Sequence, residues 1–507
     1  MPESPRPQTH STVVRGDHWP WDANDEHLDV DVVDNDHDVE TTRRNPLPPE
    51  LSSRIPLEVV ECIIDYMGHP TLFAAALVCR AWHHRALRNL YSSVEIATRG
   101  NYESLLEQFR TSPRVKQRLA RAHKLVIGSY RSKEEDSHFL ATLPLTLAHA
   151  LPALRILSIN GLLHPAMHLT FYRALHHLKH IVSLSLSLVT LSNTIELQRV
   201  VCAFPHLENL ALEDVTFRRP HSAGDQARSS ALALSRRNAD IKLKSLSFTI
   251  MSYEVQEDPM DLETIIDWLL RSAVCASLQE LTLDLMHFSP DMIDDRERDE
   301  NINRLLEESG SALVSFHVHE QHCYKHVYHH TATGLNFVHN TSLRHLTLSL
   351  FVIADKLEEG WPATAAELQA TFAMLRSDQL ECIILEFSIF VSAWGEPDIL
   401  RLEELTTSEE KLVSSQSSAL HTIMVQSCFD ALEEVDIRIN VVVDVSIQSK
   451  EWADGIAKSV VLVFPQLFAP WHDRGVIRIS HVLSMPPSDL WPWQDAAIPD
   501  LPDTSTL

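Results

Sequence analysis

The densest group of candidate metal ligands in the sequence is a histidine-rich run from His317 to His330. It contains six histidines and Cys323, and imidazole and thiolate groups are common ligands of zinc. The spacing does not match a His-Glu-x-x-His motif, because Glu320 is followed by a histidine at position 322. No second ligand pair at a fixed spacing accompanies the run. We therefore favour a solvated loop with mild pH sensitivity, and we predict no metal and no cofactor.

Two further spacings resemble reactive or metal-binding sites. Cys79 and His83 are four residues apart, which on a helix would place a thiol beside an imidazole. A small buried thiol next to a surface imidazole is the favoured interpretation. The alternating aspartates of residues 34–38 resemble the start of a calcium loop, but Val39 and Asn45 replace the required glycine and glutamate. We therefore predict no catalytic residue and no enzyme activity.

The overall charge excludes several classes of ligand. The chain has 507 residues with 69 acidic and 43 basic side chains, so its net charge is −26. Nucleic acid and anionic membranes require clustered basic residues, so we predict neither as a partner. The seven cysteines are dispersed without a Cys-x-x-Cys pair, which favours reduced thiols in the cytoplasm or nucleus. The sequence begins without a secretory signal pattern, and no apolar run reaches the ~20 residues of a membrane span.

The elements that would position these side chains form a repeat. A hexamer of the pattern apolar-x-x-apolar-x-apolar recurs nine times, with a weaker copy at Ala122. The nine copies start at Leu154, Ile181, Leu207, Leu243, Leu278, Leu313, Leu343, Leu380 and Leu432. The fourth and sixth positions lie on one face of a strand. Between copies, apolar residues such as Leu262, Ile265, Ile266 and Leu269 follow helical spacing. The pattern predicts strand–turn–helix units stacked on a parallel sheet.

This repeat resembles an irregular leucine-rich repeat. The resemblance implies a curved solenoid with a concave surface. In each repeat, the residues that face this surface are the third and fifth of the hexamer and the one that directly follows it, called here the seventh position. The side chains at these positions are small, polar or charged, which suits peptide binding. An ordinary solvated sheet face is an equal alternative. The predicted target-binding residues on the concave surface are His317, His319, His345, Thr347, Glu280 and Asp284.

Three short helices are predicted near the N-terminus. The first begins at Pro56, which needs no backbone N–H there, and ends at Gly68. Thr71 is expected to cap a second helix, Leu72–Val78, and a third follows from Arg80 to Tyr91. About 40 residues bury too little surface to be self-sufficient, so this module gains stability by packing on a partner or on the next domain.

The same segment resembles an F-box. The residues that carry the resemblance are Ile55-Pro56, Glu58, Ile63-Ile64, Val78-Cys79-Arg80-Ala81-Trp82 and Leu90-Tyr91. The resemblance implies docking onto a Skp-type adaptor of a cullin ubiquitin ligase. The adaptor-binding residues that it implies are Ile55, Pro56, Leu57, Val78 and Trp82. A generic three-helix cap on the next domain is the alternative.

Together these patterns predict an α/β protein, with a small all-α three-helix F-box followed by a leucine-rich-repeat-like solenoid. The expected organisation is a disordered acidic tail at 1–47, the F-box at 51–97, the solenoid at 98–484 and a proline-rich tail at 485–507. This layout is similar to that of fungal F-box-like proteins. It implies a non-catalytic substrate receptor that binds the adaptor, and through it a cullin, together with an unknown target protein. The alternatives are a non-degradative scaffold and a metal-dependent hydrolase that uses the histidine run.

Overall fold

The computed structural model describes residues 55–128, 139–161, 163, 167–217, 241–251, 262–287, 295–322, 334–353, 357–391, 418–443 and 464–484. The acidic segment at 1–47 and its aspartate run, residues 323–330 of the histidine run, and the tail at 485–507 lie outside these ranges. The chain divides into two compact units, residues 1–60 and 61–507.

In the first unit, the described residues are the start of a helix. The carbonyl oxygen of Pro56 accepts hydrogen bonds from the backbone N–H groups of Val59 at 3.1 Å and Val60 at 3.3 Å. Proline fits this position because the first helical residues have no intrahelical acceptor for their N–H groups. The helix that begins here is α1, Leu57–Asp65.

Two more helices complete the N-terminal helical region, α2 (His69–Val78) and α3 (Arg80–Leu90). The expected cap at Thr71 is wrong, because α2 begins at His69 with Pro70 in its first turn. Proline is compatible with the first turn, and its fixed φ favours helix initiation. Cys79 separates α2 from α3 in an extended conformation with φ −158°.

Nine further helices are described after this region. They are α4 (Arg99–Thr111), α5 (Pro113–Leu119), α6 (Leu143–Leu147), α7 (Leu169–Leu175), α8 (Thr194–Val201), α9 (Leu262–Ser272), α10 (Asp295–Ser309), α11 (Leu357–Met374) and α12 (Ala469–Asp473). Short helical segments also occupy 418–424 and 464–467, and 3₁₀ turns span Val274–Ser277, Gly310–Ala312 and Ser427–Phe429. The helical spacing recognised in α9 is confirmed, because its four apolar residues are all buried.

Fourteen strands are present in the described residues. They are β1 (Ser93–Ile96), β2 (Lys124–Ile127), β3 (Ile156–Asn160), β4 (Ser183–Ser187), β5 (Thr190–Leu191), β6 (Asn209–Glu213), β7 (Thr216–Phe217), β8 (Ser245–Met251), β9 (Glu280–His287), β10 (Ser315–His322), β11 (His345–Ile353), β12 (Cys382–Val391), β13 (Glu434–Val443) and β14 (Ile477–Ser484). Twelve form one sheet in the order β1-β2-β3-β4-β6-β8-β9-β10-β11-β12-β13-β14, and β5 pairs with β7 separately. All pairs are parallel, so the predicted large parallel sheet is confirmed.

The hexamer sets both the strand positions and their register. In every copy the third residue begins a strand, and equivalent positions of neighbouring copies pair with each other, as Leu281 pairs with Phe316. The fourth and sixth residues are buried and pack with the helices in one hydrophobic core. Each such side chain contributes about 1.5–3 kcal/mol through burial. Side chains at the third, fifth and seventh positions lie on the opposite side, called here the open face.

The two outermost strands have no counterpart in the predicted repeat. At β14 the first hexamer position is Arg474 instead of an apolar residue. Its guanidinium donates hydrogen bonds to the backbone oxygens of Phe429 at 2.8 Å, Asp430 at 3.3 Å and Leu432 at 3.2 Å. At this position, the hydrogen bonds of the Arg474 guanidinium therefore replace the buried apolar side chain of the other units.

Candidate functional site

Helix α2 presents an apolar surface to solvent. Because its sequence is apolar on all sides, one face can pack inward while another stays uncovered. Leu72, Ala75 and Ala76 are buried, at the spacing of one helix face. Phe73 and Leu77 lie on the other side and are 62% and 74% exposed. Large side chains exposed in this way mark interaction surfaces when they are contiguous.

Helix α1 also exposes apolar side chains in each of the two units. In the first unit, Leu57 and Val59 are about half exposed. In the second unit, Ile63 is about half exposed and Tyr66, just after the helix, is almost fully exposed. Only Ile64 of this helix is fully buried.

The residues implied as adaptor-binding differ in accessibility. Leu57 and Val78 are mostly exposed, Pro56 is exposed, and Ile55 and Trp82 are half-buried. The first unit contains Ile55, Pro56 and Leu57, and the second contains Val78 and Trp82. Four exposed apolar side chains of this region that the sequence motif did not single out are Val59, Tyr66, Phe73 and Leu77. For Phe73 and Leu77, the sequence signal that could have indicated exposure was that α2 is apolar on all sides.

An ionic contact fixes the end of α1 against α3. The Arg85 guanidinium donates hydrogen bonds to both carboxylate oxygens of Asp65, through Nε at 2.7 Å and through Nη2. The amide of Asn89 donates to the same carboxylate at 2.7 Å and to the backbone oxygen of Ile64 at 3.4 Å. The hydrogen bonds from Arg85 and then Asn89 lower the pKa of Asp65 to about 2. The carboxylate therefore stays ionised and holds the two helices together.

Cys79 and His83 do not form a nucleophile–base pair. The expectation of a buried thiol is wrong, because Cys79 is exposed in the extended segment between α2 and α3. His83 Nδ1 lies 2.8 Å from the backbone oxygen of Ala76, so the imidazole binds the end of α2. These contacts give the histidine a structural role.

The open face of the sheet carries an array of polar side chains. Most of its residues are partly accessible, in contrast with the buried fourth and sixth positions, but Ser187 and the predicted target-binding residue Thr347 are buried. At the seventh position, the adjacent strands β6, β8 and β9 place Glu213, Thr249 and Asp284 side by side. Further along, the same position holds His319, Ser349, Glu386 and Arg438. The open face is therefore charged on its longer, C-terminal strands and serine-rich before them.

His317 is held by hydroxyl groups on both sides of its ring. Its Nε2 lies 2.6 Å from Ser315 Oγ, and its Nδ1 lies 2.8 Å from Thr347 Oγ1 on the neighbouring strand. Burial lowers the pKa of His317. His345 lies beside Ser315 in the register and is exposed. The structure thus brings His317 and Thr347 into contact, with the imidazole held neutral.

A second histidine belongs to an ionic network across four strands. His319 Nδ1 lies 2.9 Å from Glu386 Oε2, passing over β11, where Ser349 Oγ donates to the same oxygen at 3.4 Å. Arg438 donates through Nη1 to Glu386 at 2.9 Å and through Nε to Asp436 at 2.8 Å. Burial alone would raise the pKa of Glu386, but the bonds from His319 and Arg438 lower it to about 2.

The same network changes the titration of His319. Its hydrogen bond to Glu386 raises the pKa of His319 above its ordinary value, against the opposing effect of burial. The imidazolium and the carboxylate therefore stabilise each other in their charged forms. This pairing joins β10 to β12 through side chains, in addition to the ladders that each makes with β11.

The carboxylates of β9 have no such partner among the described residues. Asp284 Oδ1 is sealed from solvent and accepts no hydrogen bond there. Burial raises the pKa of Asp284, as does the charge of Glu213, while the charge of His319 opposes the shift. Glu280, at the start of the same strand, is half-buried. Of the two predicted target-binding carboxylates, Asp284 is therefore the one with an acceptor oxygen that is sealed from solvent and unpaired within the described residues.

The described residues contain no group of three or more His, Cys, Asp or Glu side chains placed to hold a metal ion. The six cysteines within the described ranges are free thiols. Burial raises the pKa of Cys275 to about 12 and that of Cys382 to about 11, so these thiols stay protonated. None of the helices in the described ranges is both long and apolar enough to cross a membrane.

The helical region has a recognisable family. Residues 52–89 match the F-box domain. F-box domains in general bind Skp-type adaptors and serve as non-catalytic substrate adaptors of ubiquitin ligase complexes. The match covers α1, α2 and all of α3 except its last residue, Leu90, so it includes the exposed Phe73 and Leu77 of α2. A comparison of the chain with curated proteins gave no match.

Proposed function

We propose that this chain is a substrate-recruiting subunit of a Skp–cullin–F-box ubiquitin ligase. The observation that carries the proposal is the exposed apolar surface of a segment that matches the F-box domain. Phe73, Leu77 and Val78 are each more than half exposed although all three are large and apolar. A partner that covers them would gain the free energy of burial that the isolated chain leaves unused.

The adaptor-binding residues of the proposal are those that the F-box resemblance implies, together with the exposed ones on α2. The first group is Ile55, Pro56, Leu57, Val78 and Trp82. The second group, Phe73 and Leu77, lies on α2 in the second unit. Within the second unit, the hydrogen bonds that Asp65 accepts from Arg85 and Asn89 join the end of α1 to α3.

The sheet domain would bind the target protein. Its repeated hexamers, paired in register, support a leucine-rich-repeat-like solenoid in which each unit adds a strand to the open face. The proposed target-binding residues on this face are His317, His319, His345, Thr347, Glu280 and Asp284. The chain would act by proximity, because tethering a target beside the ubiquitin-loaded enzyme raises their effective concentration. No catalytic group of this chain takes part.

Purification of the full-length protein with a Skp-type adaptor and a cullin tests the proposal. Wild type is compared with Leu57→Asp and Val78→Asp, which place a charge on the exposed adaptor surface without altering a buried position. Leu145→Asp is the matched control, because Leu145 is 51% exposed on α6, outside the F-box match. Recovery of adaptor and cullin with wild type and the control, but not with the two variants, supports the proposal. Failure of the wild type to bind the adaptor refutes it.

A non-degradative scaffold is the second candidate. It would bind the adaptor through the same exposed residues and differ only in that no ubiquitin is transferred to the bound protein. Reconstitution with the ubiquitin-activating and ubiquitin-conjugating enzymes separates the two functions. Adaptor and cullin binding without ubiquitin transfer to any protein held by the sheet domain would favour the scaffold.

A further inference from the structure

The twelve-stranded sheet ends at a strand whose outer edge is uncovered. β14 is the last strand in the sheet order, and among the described residues it pairs only with β13. It spans eight residues, whereas β1 at the opposite end of the sheet spans four. The backbone N–H and C=O groups on its outer side therefore have no strand to pair with in the described part of the chain. A long free edge of this kind pairs readily with a further segment unless something covers it.

The hydrophobic core is also incomplete at β14. In the neighbouring strand β13, Val435 and Ile437 are fully buried. Their register partners in β14, Ile477 and Ile479, are only partly buried. Val482, which period-two alternation places on the other side of β14, is 62% exposed. In a stack of repeat units each unit buries its apolar surface against the next, so the last unit requires a cap. The described residues leave that cap unfinished.

The part of the chain that follows β14 is long enough to supply the cap. Residues 485–507, called here the C-terminal segment, lie outside the described residues and begin directly after the last residue of β14. Fully extended, this segment would reach roughly 75 Å, whereas β14 itself is roughly 26 Å long. Pro486 and Pro487 have no backbone N–H and cannot extend the ladder with β13, so they favour a turn immediately after the strand. A segment that turns here starts within reach of the free edge.

The composition of the C-terminal segment matches the uncovered edge. It contains large apolar side chains at Leu490, Trp491 and Trp493. Tryptophan suits such a position, because its ring buries a large area while its N–H can donate to a polar group such as an unpaired backbone carbonyl. The charges are also complementary. β14 carries Arg478 and His481 and no acidic residue, whereas the segment carries four aspartates and no basic residue.

We propose that the C-terminal segment folds back along the outer edge of β14 and covers Ile479 and Val482 with Trp491 and Trp493. The segment then completes the hydrophobic core at this end of the sheet and blocks edge-to-edge pairing with other chains. A second copy of this chain, paired through β14, is the competing occupant. It is disfavoured because a tethered segment is present at a millimolar effective concentration, which a separate copy does not reach at ordinary protein concentrations. The proposal is independent of the ligase role.

Hydrogen exchange of the full-length protein tests the contact from the side of the segment. Trp491→Ser with Trp493→Ser removes the covering side chains. Trp19→Ser with Trp21→Ser is the matched control, because it changes an identical Trp-Pro-Trp sequence near the other end of the chain. We expect the β14 amides to exchange about tenfold faster or more in the first variant, with the β9 amides unchanged. The control should exchange like wild type at both strands.

Proteolysis tests the same contact from the side of the strand. Val482→Asp places a charge on the exposed edge, which opposes burial of a tryptophan there. The control is Val425→Asp, because Val425 is 68% exposed and lies outside β14. The rate of chymotrypsin cleavage after Trp493 reports whether the segment is docked. We expect faster cleavage in the Val482 variant than in wild type, and the wild-type rate in the control.

Three results would overturn the proposal. The first is wild-type exchange of β14 in the Trp491/Trp493 variant, or equal acceleration in the Trp19/Trp21 control. The second is a cleavage rate after Trp493 that Val482→Asp does not change. The third is protection of β14 that rises with protein concentration, together with a dimer mass by light scattering, and that persists in the Trp491/Trp493 variant. This last result would assign the edge to a second copy of the chain.

Discussion

Replacement of Phe73 and Leu77 by glutamine should weaken adaptor binding while leaving the free protein folded. Full burial of a large apolar side chain is worth about 1.5–3 kcal/mol. Phe73 is 62% exposed and Leu77 is 74% exposed, so an adaptor that covers both gains about 1–2 kcal/mol from each. Their joint loss of about 2–4 kcal/mol corresponds to an increase in Kd of roughly 30- to 700-fold. Glutamine is tolerated in a helix, so α2 itself should persist.

The assay combines titration calorimetry against purified adaptor with thermal unfolding of the free protein. Leu145→Gln with Leu169→Gln is the matched control, because both residues are about half exposed on helices outside the F-box match. The control should bind like wild type. Wild-type affinity in the Phe73/Leu77 variant would refute the reasoning, as would a control that loses affinity equally. A large fall in its unfolding temperature would show that these side chains stabilise the fold instead.

Three further perturbations have expected outcomes. Asp65→Asn should lower the unfolding temperature at neutral pH. The pKa of Asp65 is lowered from 3.8 to about 2 in the folded protein. The difference in stability from wild type should therefore disappear as the pH is lowered through that interval. Glu386→Gln should lower the free energy of unfolding by about 2 kcal/mol. The lowered pKa of Glu386 corresponds to about 3 kcal/mol, and the partial exposure of its side chain to solvent reduces that value. That cost should be largest between the ordinary pKa values of 4.5 and 6.5, where Glu386 and His319 are both charged, and smaller on either side in urea unfolding. Arg474→Met should cost about 1 kcal/mol, and hydrogen exchange should show faster opening of β14 with unchanged protection of β9.

The strands could be predicted from the sequence because their side chains obey two constraints at once. The fourth and sixth hexamer positions must be apolar to enter the core, and the spacing between copies must leave room for a return segment. At β14 the fourth and sixth positions are still apolar, as Ile477 and Ile479, but the first position is Arg474, which makes hydrogen bonds to carbonyl groups where other units bury an apolar side chain. A search for apolar positions alone cannot recognise such a unit.

The candidate surfaces were less predictable, for two physical reasons. Helix α2 is apolar on all sides, so hydrophobic periodicity cannot tell which side packs inward and leaves Phe73 exposed. The contact of His319 with Glu386 joins strands that are separated by β11. Position in the repeat places both residues on the open face, but side-chain length and rotamer determine which pairs meet across an intervening strand.

The two surfaces imply two different kinds of recognition. The F-box surface offers apolar area, whose burial depends little on salt, whereas the open face offers carboxylates, whose attraction for a cation is screened by salt. The arginine of the open face is already committed, because Arg438 bonds both Glu386 and Asp436. A phosphorylated segment would have to displace these carboxylates and then lie beside Asp284, at a cost in both steps. An unmodified segment meets neither cost. If the open face binds a target, as proposed, its arrangement of charges therefore disfavours recognition through an added phosphate.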